Sequence, residues 1–134
     1  MIHGIGTDLV AVARLRAMWE RHGERTLDKL LAPAEHADCR ASADPAHFLA
    51  KRFAAKEALG KALGTGIRAP VLLPAIAVTH DALGKPAFAF DAALAGWIAA
   101  RRLVCHVSLS DEADYAQAFV VTETVVSENL AEEA

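Results

Sequence analysis

The sequence predicts a single α+β domain in which an antiparallel sheet packs against a long central helix and several smaller helices. One observation is an uninterrupted helix-forming run at residues 46–66, bounded by a helix start signal and a helix stop signal. A second is that short segments with β propensity lie on both sides of this run. A third is the short acidic turn between the last two of these segments, which favours an antiparallel hairpin.

Composition limits the classes of function. The chain has 134 residues, of which 54% are hydrophobic, enough for one core and one domain, which we assign to residues 1–126. The net charge of −3 leaves no basic excess to neutralise a phosphate backbone, so nucleic acid is not expected as a partner. No apolar run approaches the length of a membrane span, and no signal sequence is recognisable. We therefore expect a soluble cytoplasmic protein that does not contact a membrane.

Cysteine usage agrees with that compartment. Cys39 and Cys105 lie far apart in the sequence and lack the spacing of metal ligands. They are predicted to be reduced thiols, and a structural zinc site is not expected.

Residues 1–10 open the chain as a strand interrupted by glycines. Alternation places Gly4, Gly6 and Asp8 on one face, where the missing side chains let another backbone or a ligand approach closely. Asp8 has an alternative interpretation as the N-cap of the helix that follows over about residues 10–22. The apolar stripe of that helix consists of Val12, Leu15, Met18 and Trp19.

Arginines mark the polar side of the first helix. Arg14 and Arg21 lie on a face that is either simply solvated or suited to docking an acidic partner. Gly23 is predicted to end the helix. The next segment, Thr26 to Ser42, offers only helix propensity, and we assign it one or two short helices broken near Pro33.

The long helix has clear boundaries. It begins after Asp44 and Pro45, an N-cap followed by proline at the first helical position, and it stops at residues 64–66. Its predicted core-facing arc consists of Phe48, Ala55, Leu59, Ala62 and Leu63.

Charged residues on the long helix have two interpretations. Glu57 and Lys61 lie one turn apart on the side opposite the apolar arc, and such pairs commonly stabilise helix surfaces by about 0.3 kcal/mol. Arg52 interrupts the arc, and one interpretation is that its head extends past the edge of the core into water. A functional interpretation requires that other parts of the chain come to these residues.

The second half of the chain is predicted to contain four strands and one helix. Residues 75–81 and 86–90 form a hairpin through the turn at Gly84. Asp91 caps a helix that continues through Arg101.

The last two strands follow that helix. Residues 103–110 alternate, so that His106 and Ser108 point to the same side of the strand, and residues 115–126 form the final strand. The remaining segment, residues 127–134, is acidic and predicted to fray.

Three separated features have one explanation: Asp8 after a glycine-rich strand, Glu57 with Lys61 on a helix, and His106 with Ser108 on a strand. Two carboxylates suit Mg²⁺, which keeps several waters and completes its shell with substrate phosphates. A nearby lysine adds a positive charge for the same phosphates. These residues predict phosphoryl-type transfer, in which positioning and charge neutralisation provide most of the rate.

Four segments of the chain resemble the signature motifs of the holo-[acyl-carrier-protein] synthases, the small bacterial branch of the 4′-phosphopantetheinyl transferases. The segments are GIGTDLV at residues 4–10, FLAKRFAAKEALGKALGTGI at 48–67, GKP at 84–86 and HVSLSDE at 106–112. They occur in order over nearly the whole chain, and the long helix is the most specific of them. One departure is residues 11–13, Ala-Val-Ala, where acidic residues often follow the aspartate in this family.

The resemblance implies the 4′-phosphopantetheinyl transferase fold and a reaction. A family member moves 4′-phosphopantetheine from coenzyme A to a serine of an apo-acyl carrier protein and releases adenosine 3′,5′-bisphosphate. Asp8 and Glu57 match the Mg²⁺ ligands, and Lys61 matches the lysine that contacts the transferred phosphate. Coenzyme A binding is implied for Arg52, Lys61, Gly64, Thr65, Gly66, Lys85, Pro86 and His106.

The resemblance also implies partners. Arg14 and Arg21 match the basic face on which the acidic carrier protein docks, and family members form homotrimers with active sites between subunits. Arg52 would then meet a pocket at a subunit interface. Ser108 and Ser110 are expected to be hydroxyls at the rim of the site, because the acceptor serine belongs to the carrier protein.

Several alternatives remain open at this level. The proton of the attacking serine goes either to Glu57 or to a metal-bound water, and the preferred carrier is of fatty-acid or polyketide type. A non-catalytic module that binds coenzyme A or a carrier protein is a competing hypothesis, as is a generic Mg²⁺-dependent phosphohydrolase.

Overall fold

The computed structural model describes residues 1–126, and the segment predicted to fray lies outside the described residues. A three-stranded antiparallel sheet has the order β1 (Ile2–Ala11), β5 (Tyr115–Thr124), β4 (Leu103–Asp111). A separate two-stranded antiparallel sheet consists of β2 (Ile76–His80) and β3 (Pro86–Phe90). The helices are α1 (Val12–His22), α2 (Arg25–Leu30), α3 (His36–Ala41), α4 (Pro45–Leu63) and α5 (Ala92–Ala100).

The predicted α+β architecture is confirmed, with one refinement. The strands predicted as a single sheet form two, because β2 and β3 pair only with each other within the described residues. Thr26 to Ser42, the segment for which the sequence offered only helix propensity, contains most of α2, a 3₁₀ turn at Pro33–Glu35, and α3. The helices are broken near the proline, as predicted. No helix within residues 1–126 combines the length and the hydropathy that crossing a membrane requires.

Local signals set the ends of α4 where they were predicted. The Asp44 side chain accepts a hydrogen bond from the backbone N–H of His47 at 3.2 Å, and Pro45 occupies the first helical position. At the other end, Gly64 adopts φ 80°, and its N–H donates to backbone carbonyls of the last turn. The same kind of cap starts α5, where the Asp91 carboxylate accepts from the backbone N–H of Leu94 at 2.9 Å.

Helix α4 is the centre of the fold. The prediction of a single apolar arc was too narrow, because buried residues occur on nearly every side of the helix. The three-stranded sheet packs on one side of α4, and α1, α3 and β2 contact its other sides. The abundance of alanine in this helix follows from that enclosure, because small side chains let several elements approach it at once.

Two glycines bring β1 directly onto α4. A Cβ atom on Gly4 would lie 2.0 Å from the carbonyl oxygen of Ala62, and one on Gly6 would lie 2.0 Å from that of Ala58. The prediction that these glycines admit another backbone is therefore confirmed, and the backbone is that of α4. Since Asp8 follows on the same face of β1, this contact carries its carboxylate to the surface of α4.

We expect Gly6→Ala to destabilise the fold by about 1–3 kcal/mol, because the added methyl group meets the backbone of α4. Urea unfolding measures the change in the free energy of unfolding. Gly96→Ala is the matched control, because this glycine lies inside α5 and a Cβ there meets nothing within 4 Å. That control is expected to stabilise by about 0.5–1 kcal/mol. A Gly6→Ala protein as stable as the original would contradict the close approach of β1 and α4.

The sheet has one covered face and one open face. Buried residues alternate with exposed ones along β1, β4 and β5, and the buried face lies toward α4. Large apolar side chains are exposed on the other face, which we call the outer sheet face. They are Ile5, Leu9, Val104, Tyr115 and Phe119. An exposed apolar surface of this kind commonly marks a protein–protein contact.

Candidate active site

Asp8 does not cap the first helix. Strand β1 continues to Ala11, and α1 begins at Val12, whose backbone N–H donates to the carbonyl of Asp114. The Asp8 side chain is 18% exposed and lies on the α4 side of the sheet. The capping interpretation is therefore wrong, and the carboxylate is available for chemistry at the surface of α4.

Lys61 joins α4 to β1. Its ammonium donates to the carbonyl of Thr7 at 2.8 Å and to Oδ1 of Asp8 at 3.1 Å. It forms no ion pair with Glu57 among the described residues, so the interpretation of these two as a surface pair is wrong. The Lys61 side chain is 54% exposed, which leaves this cation accessible to a ligand from solvent.

Glu57 has no bonding partner among the residues that the structure describes. Within residues 1–126 it forms no hydrogen bond and no ion pair, although it is partly buried. Burial raises the pKa of Glu57 above its ordinary value, and the negative charge of Asp8 raises it further, while Lys61 and Arg14 act in the opposite direction. Two carboxylates therefore repel each other beside one lysine, an arrangement that a bound cation would relieve.

The donor set fits a hard cation with few protein ligands. Among residues 1–126 no cluster of three or more His, Cys, Asp or Glu side chains exists that could enclose a metal. Asp8 and Glu57 offer only carboxylate oxygens, and Mg²⁺ characteristically binds one or two carboxylates and fills its remaining positions with water and phosphate oxygens. Cys39 and Cys105 are free thiols, as predicted.

Helix α1 borders this carboxylate site. The Arg14 guanidinium lies over the ring of Phe53 on α4, 5.2 Å from its centroid, and its charge acts on Glu57. Arg21 is exposed about two turns farther along α1. Arg16, by contrast, is held by the Asp44 carboxylate at 3.3 Å. Arg14 and Arg21 are thus the arginines of α1 that form no ion pair within the described residues.

Arg52 is buried inside its own chain. The residue is 8% exposed, its Nη1 donates to the carbonyl of Val78 at 2.6 Å, and its Nε lies 3.5 Å from a carboxylate oxygen of Glu35. Its guanidinium stacks over Phe48 at 4.6 Å. The interpretation that Arg52 extends into water is therefore wrong, and its burial does not depend on a neighbouring subunit.

A cavity of about 310 Å³ adjoins Arg52. It lies between the start of α4 and the end of β2. Four of its lining side chains are basic: His47, Lys51, Arg52 and His80. Burial and the neighbouring cations Arg52 and Lys51 lower the pKa of His80. Asp44 lines the cavity as well, and Asp111 lies 3.2 Å from His47 and 3.9 Å from Lys51, so part of this positive charge is already compensated. The excess of basic side chains still suits an anionic ligand.

The loop at residues 64–66 folds back over the end of α4. The backbone N–H groups of Thr65 and Gly66 both donate to the carbonyl of Gly60. A Cβ on Gly60 would lie 3.0 Å from the backbone of Gly66, which explains the glycine at this helical position. The loop thus begins one turn after Lys61 and is held against the last turn of α4.

The remaining residues predicted to bind coenzyme A lie elsewhere on the chain. His106 is on the outer sheet face, where its Nε2 lies 2.5 Å from a carboxylate oxygen of Glu123. Lys85 is exposed in the β2–β3 turn, and Pro86 begins β3. Asp81 shapes this turn by accepting from the backbone N–H of Lys85 at 2.9 Å.

The structure therefore brings together only part of the predicted set. Asp8, Glu57 and Lys61 converge, whereas His106 projects from the opposite face of the same sheet. Arg52 faces β2 and Lys85 lies in the β2–β3 turn. Within one chain the carboxylate site is therefore separate from the other candidate residues, which do not converge with one another.

Sequence reasoning missed a buried charge network beside Arg52. Lys56 is 0% exposed, and its ammonium donates to Oε1 of Glu35 at 2.6 Å and to the carbonyls of Leu30 and Leu73. The position of Lys56 among the alanines of α4 was a usable signal, because a lysine on an enclosed helix requires a buried partner. The partner itself lies in the segment for which the sequence offered only propensity.

Comparisons with known proteins identify the same family. A sequence model described as the 4′-phosphopantetheinyl transferase superfamily matches residues 4–120. A holo-[acyl-carrier-protein] synthase of Dechloromonas aromatica is 63% identical over 123 residues, 92% of this chain and 98% of the relative.

Solved structures show the same similarity. The crystal structure of holo-[acyl-carrier-protein] synthase from Neisseria meningitidis is 43% identical with a TM-score of 0.89, over 92% of this chain and all 100% of that one. A holo-(acyl-carrier-protein) synthase from Bacillus anthracis, in complex with CoA (3′,5′-ADP), is 31% identical with a TM-score of 0.79. That similarity covers 93% of this chain and 99% of the other.

Proposed function

Because the chain belongs to the 4′-phosphopantetheinyl transferase superfamily, among the holo-[acyl-carrier-protein] synthases, we propose that it transfers 4′-phosphopantetheine from coenzyme A to a serine of an apo-acyl carrier protein. Adenosine 3′,5′-bisphosphate is the other product. The observation that carries this proposal is the convergence of Asp8, Glu57 and Lys61, three separated residues of the family motifs, at one partly exposed site.

The site suits attack on a pyrophosphate. Asp8 and Glu57 would hold Mg²⁺, which supplies neutralisation of the charge that develops on the pyrophosphate oxygens. Lys61 already lies beside Asp8, and its exposed ammonium can move from the carboxylate to a phosphate oxygen. The loop at residues 64–66 borders the same ligand.

The attacking serine must lose a proton at this site. Glu57 has no hydrogen bond within the described residues to occupy its oxygens, and its raised pKa makes it a better proton acceptor than an ordinary surface carboxylate. Glu57 is this chain's own candidate for the base, and a water at the metal is the alternative.

A homotrimer with active sites between subunits would bring the carboxylate site together with the other candidate residues. The carboxylate site of one chain would face the nucleotide-binding residues of the next, Arg52, Lys85, Pro86 and His106. The apolar outer sheet face supports this assembly, because it offers a contact surface that a single chain leaves exposed.

The net positive charge of the buried group around Arg52 supports a nucleotide ligand. Glu35 carries one negative charge, while Lys56 and Arg52 each carry a positive one, so the buried group retains a net positive charge. A phosphate in the adjoining cavity would compensate it.

Helix α1 is the proposed docking surface for the carrier protein. Arg14 and Arg21 are exposed there and are not neutralised by ion pairs within residues 1–126. An acidic carrier that pairs with Arg14 would come close to Glu57. We propose that the protein acts in the cytoplasm, and that a carrier protein of fatty acid biosynthesis is one of its substrates.

Intact-mass spectrometry tests this function. The protein is incubated with coenzyme A, Mg²⁺ and an apo-carrier protein, and we expect the carrier to gain the mass of one phosphopantetheinyl group. Chelation of the metal is expected to stop the gain. Release of nucleotide without a carrier would indicate a phosphohydrolase, and tight binding without any mass gain on several carriers would indicate a binding module; either result overturns the proposal.

A further inference from the structure

The buried carboxylate of Glu35 contacts the surroundings of Arg52 in two ways. Its Oε2 accepts a hydrogen bond from the backbone N–H of Val78 at 3.1 Å and lies 3.5 Å from Nε of Arg52. The carbonyl of the same Val78 accepts from Nη1 of Arg52 at 2.6 Å. Glu35 therefore holds the guanidinium in two ways. It contacts Nε directly, and it binds the backbone of Val78, whose carbonyl accepts from Nη1.

The fixed guanidinium has one free end. Nη2 of Arg52 forms no hydrogen bond among the described residues. Every fully buried side-chain nitrogen or oxygen in residues 1–126 has a hydrogen-bond partner, so Nη2 reaches an accessible surface. Arg52 lines two cavities beside His80: the basic one, where the ring of Phe48 blocks one flat side of the guanidinium, and a second one lined by Glu35, Asp38 and Thr79.

We propose that Glu35 is a positioning residue, which holds Arg52 with Nη2 accessible to an anionic part of coenzyme A. This inference rests on the proposed function. A planar guanidinium gains affinity for phosphate from its orientation as well as its charge, because the N–H groups must align with the oxygens. Holding it before the ligand arrives avoids the entropy of ordering a long side chain during binding.

Lys56 offers a way to separate positioning from stability. Its ammonium bonds Oε1 of Glu35, whereas Arg52 and Val78 lie at Oε2. In Lys56→Met the carboxylate still holds Arg52. In the double variant Lys56→Met/Glu35→Gln the carboxylate is gone as well, but no unpaired lysine is left buried. Both variants lose the same bonds to the carbonyls of Leu30 and Leu73.

The two explanations, net charge and positioning, rank the affinities of the two variants for coenzyme A in opposite orders. The group has a net positive charge in the original protein and in the double variant, but it is neutral in Lys56→Met. If charge alone attracted the ligand, Lys56→Met would bind coenzyme A more weakly than the double variant. If Glu35 positions Arg52, the double variant is the weaker binder, with a KM for coenzyme A about tenfold above that of Lys56→Met, the effect of losing one charge-assisted contact.

Steady-state kinetics and calorimetric binding of coenzyme A to the folded variants test the inference. We expect the double variant to raise KM and Kd for coenzyme A, with kcat at saturation and KM for the carrier unchanged. Glu24→Gln, which removes an exposed carboxylate paired with Arg40, is the control and should change none of these values. Equal affinities in the two Lys56 variants, or weaker binding by Lys56→Met, would overturn the positioning role. Binding without transfer by the original protein would instead contradict the proposed function, since calorimetry does not depend on turnover.

Discussion

Asp8→Asn and Glu57→Gln are each expected to reduce transfer by about a hundred- to a thousandfold, the usual loss when one preorganised group that stabilises developing charge is removed. Both substitutions keep the shape of the side chain and remove its negative charge. The expected loss appears in kcat, because the charge on the pyrophosphate grows as the reaction proceeds. Intact-mass assays of the carrier protein measure it.

The same Glu57→Gln substitution is expected to raise the melting temperature at neutral pH. The pKa of Glu57 is raised in the folded protein above its unfolded value, by burial and by Asp8. The folded state therefore binds more protons than the unfolded state just above pH 4.5, and stability falls as pH rises through that range. Glutamine removes this cost, so the gain should be present at neutral pH and absent below the unfolded pKa.

A bound metal gives an independent readout for the same residues. Mg²⁺ is expected to raise the melting temperature of the original protein and to have little effect on Glu57→Gln, because only a ligand that binds the folded state stabilises it. Glu24→Gln serves as the control for replacing an exposed carboxylate. Near-normal turnover in either Asp8→Asn or Glu57→Gln would remove that residue from the site.

Mixing two inactive variants is expected to restore activity. An Asp8→Ala chain lacks the carboxylate site, and a Lys85→Ala/His106→Ala chain lacks part of the nucleotide-binding group. If each active site takes one group from each of two neighbouring chains, a mixed trimer contains interfaces in which both groups are intact. Random assembly gives about one such interface in four, so co-expressed variants should regain about a quarter of the original activity.

The controls for this experiment are the same variants expressed separately. Each alone should form trimers of normal size by sedimentation, with transfer reduced about a hundredfold. Co-expressed variants that stay inactive while forming mixed trimers would show that each chain holds a complete site. Monomers in every preparation would contradict the proposed assembly.

The sequence determined the elements whose signals are local. Asp44 with Pro45, Gly64 and Asp91 set helix ends through neighbouring backbone groups, and these ends lie where they were predicted. Strand alternation likewise assigned Asp8 and His106 to faces of strands. The resemblance of the long helix to a family motif is confirmed by the family match.

Only the tertiary structure decided which residues meet across the chain. Lys61 bonds Asp8, 53 positions away, instead of its helical neighbour Glu57, because Gly4 and Gly6 let β1 lie directly on α4.

The environment of Arg52 was likewise not predictable from the sequence. It was predicted to lie at a surface, and it is buried against Glu35 and Val78, which lie on different segments. Caps and alternation depend on groups within a few residues, so a sequence displays them. The partner of a buried charge is chosen by packing between distant segments. For the residues of α4, that packing created both the carboxylate site and the separate buried network of Glu35, Arg52 and Lys56.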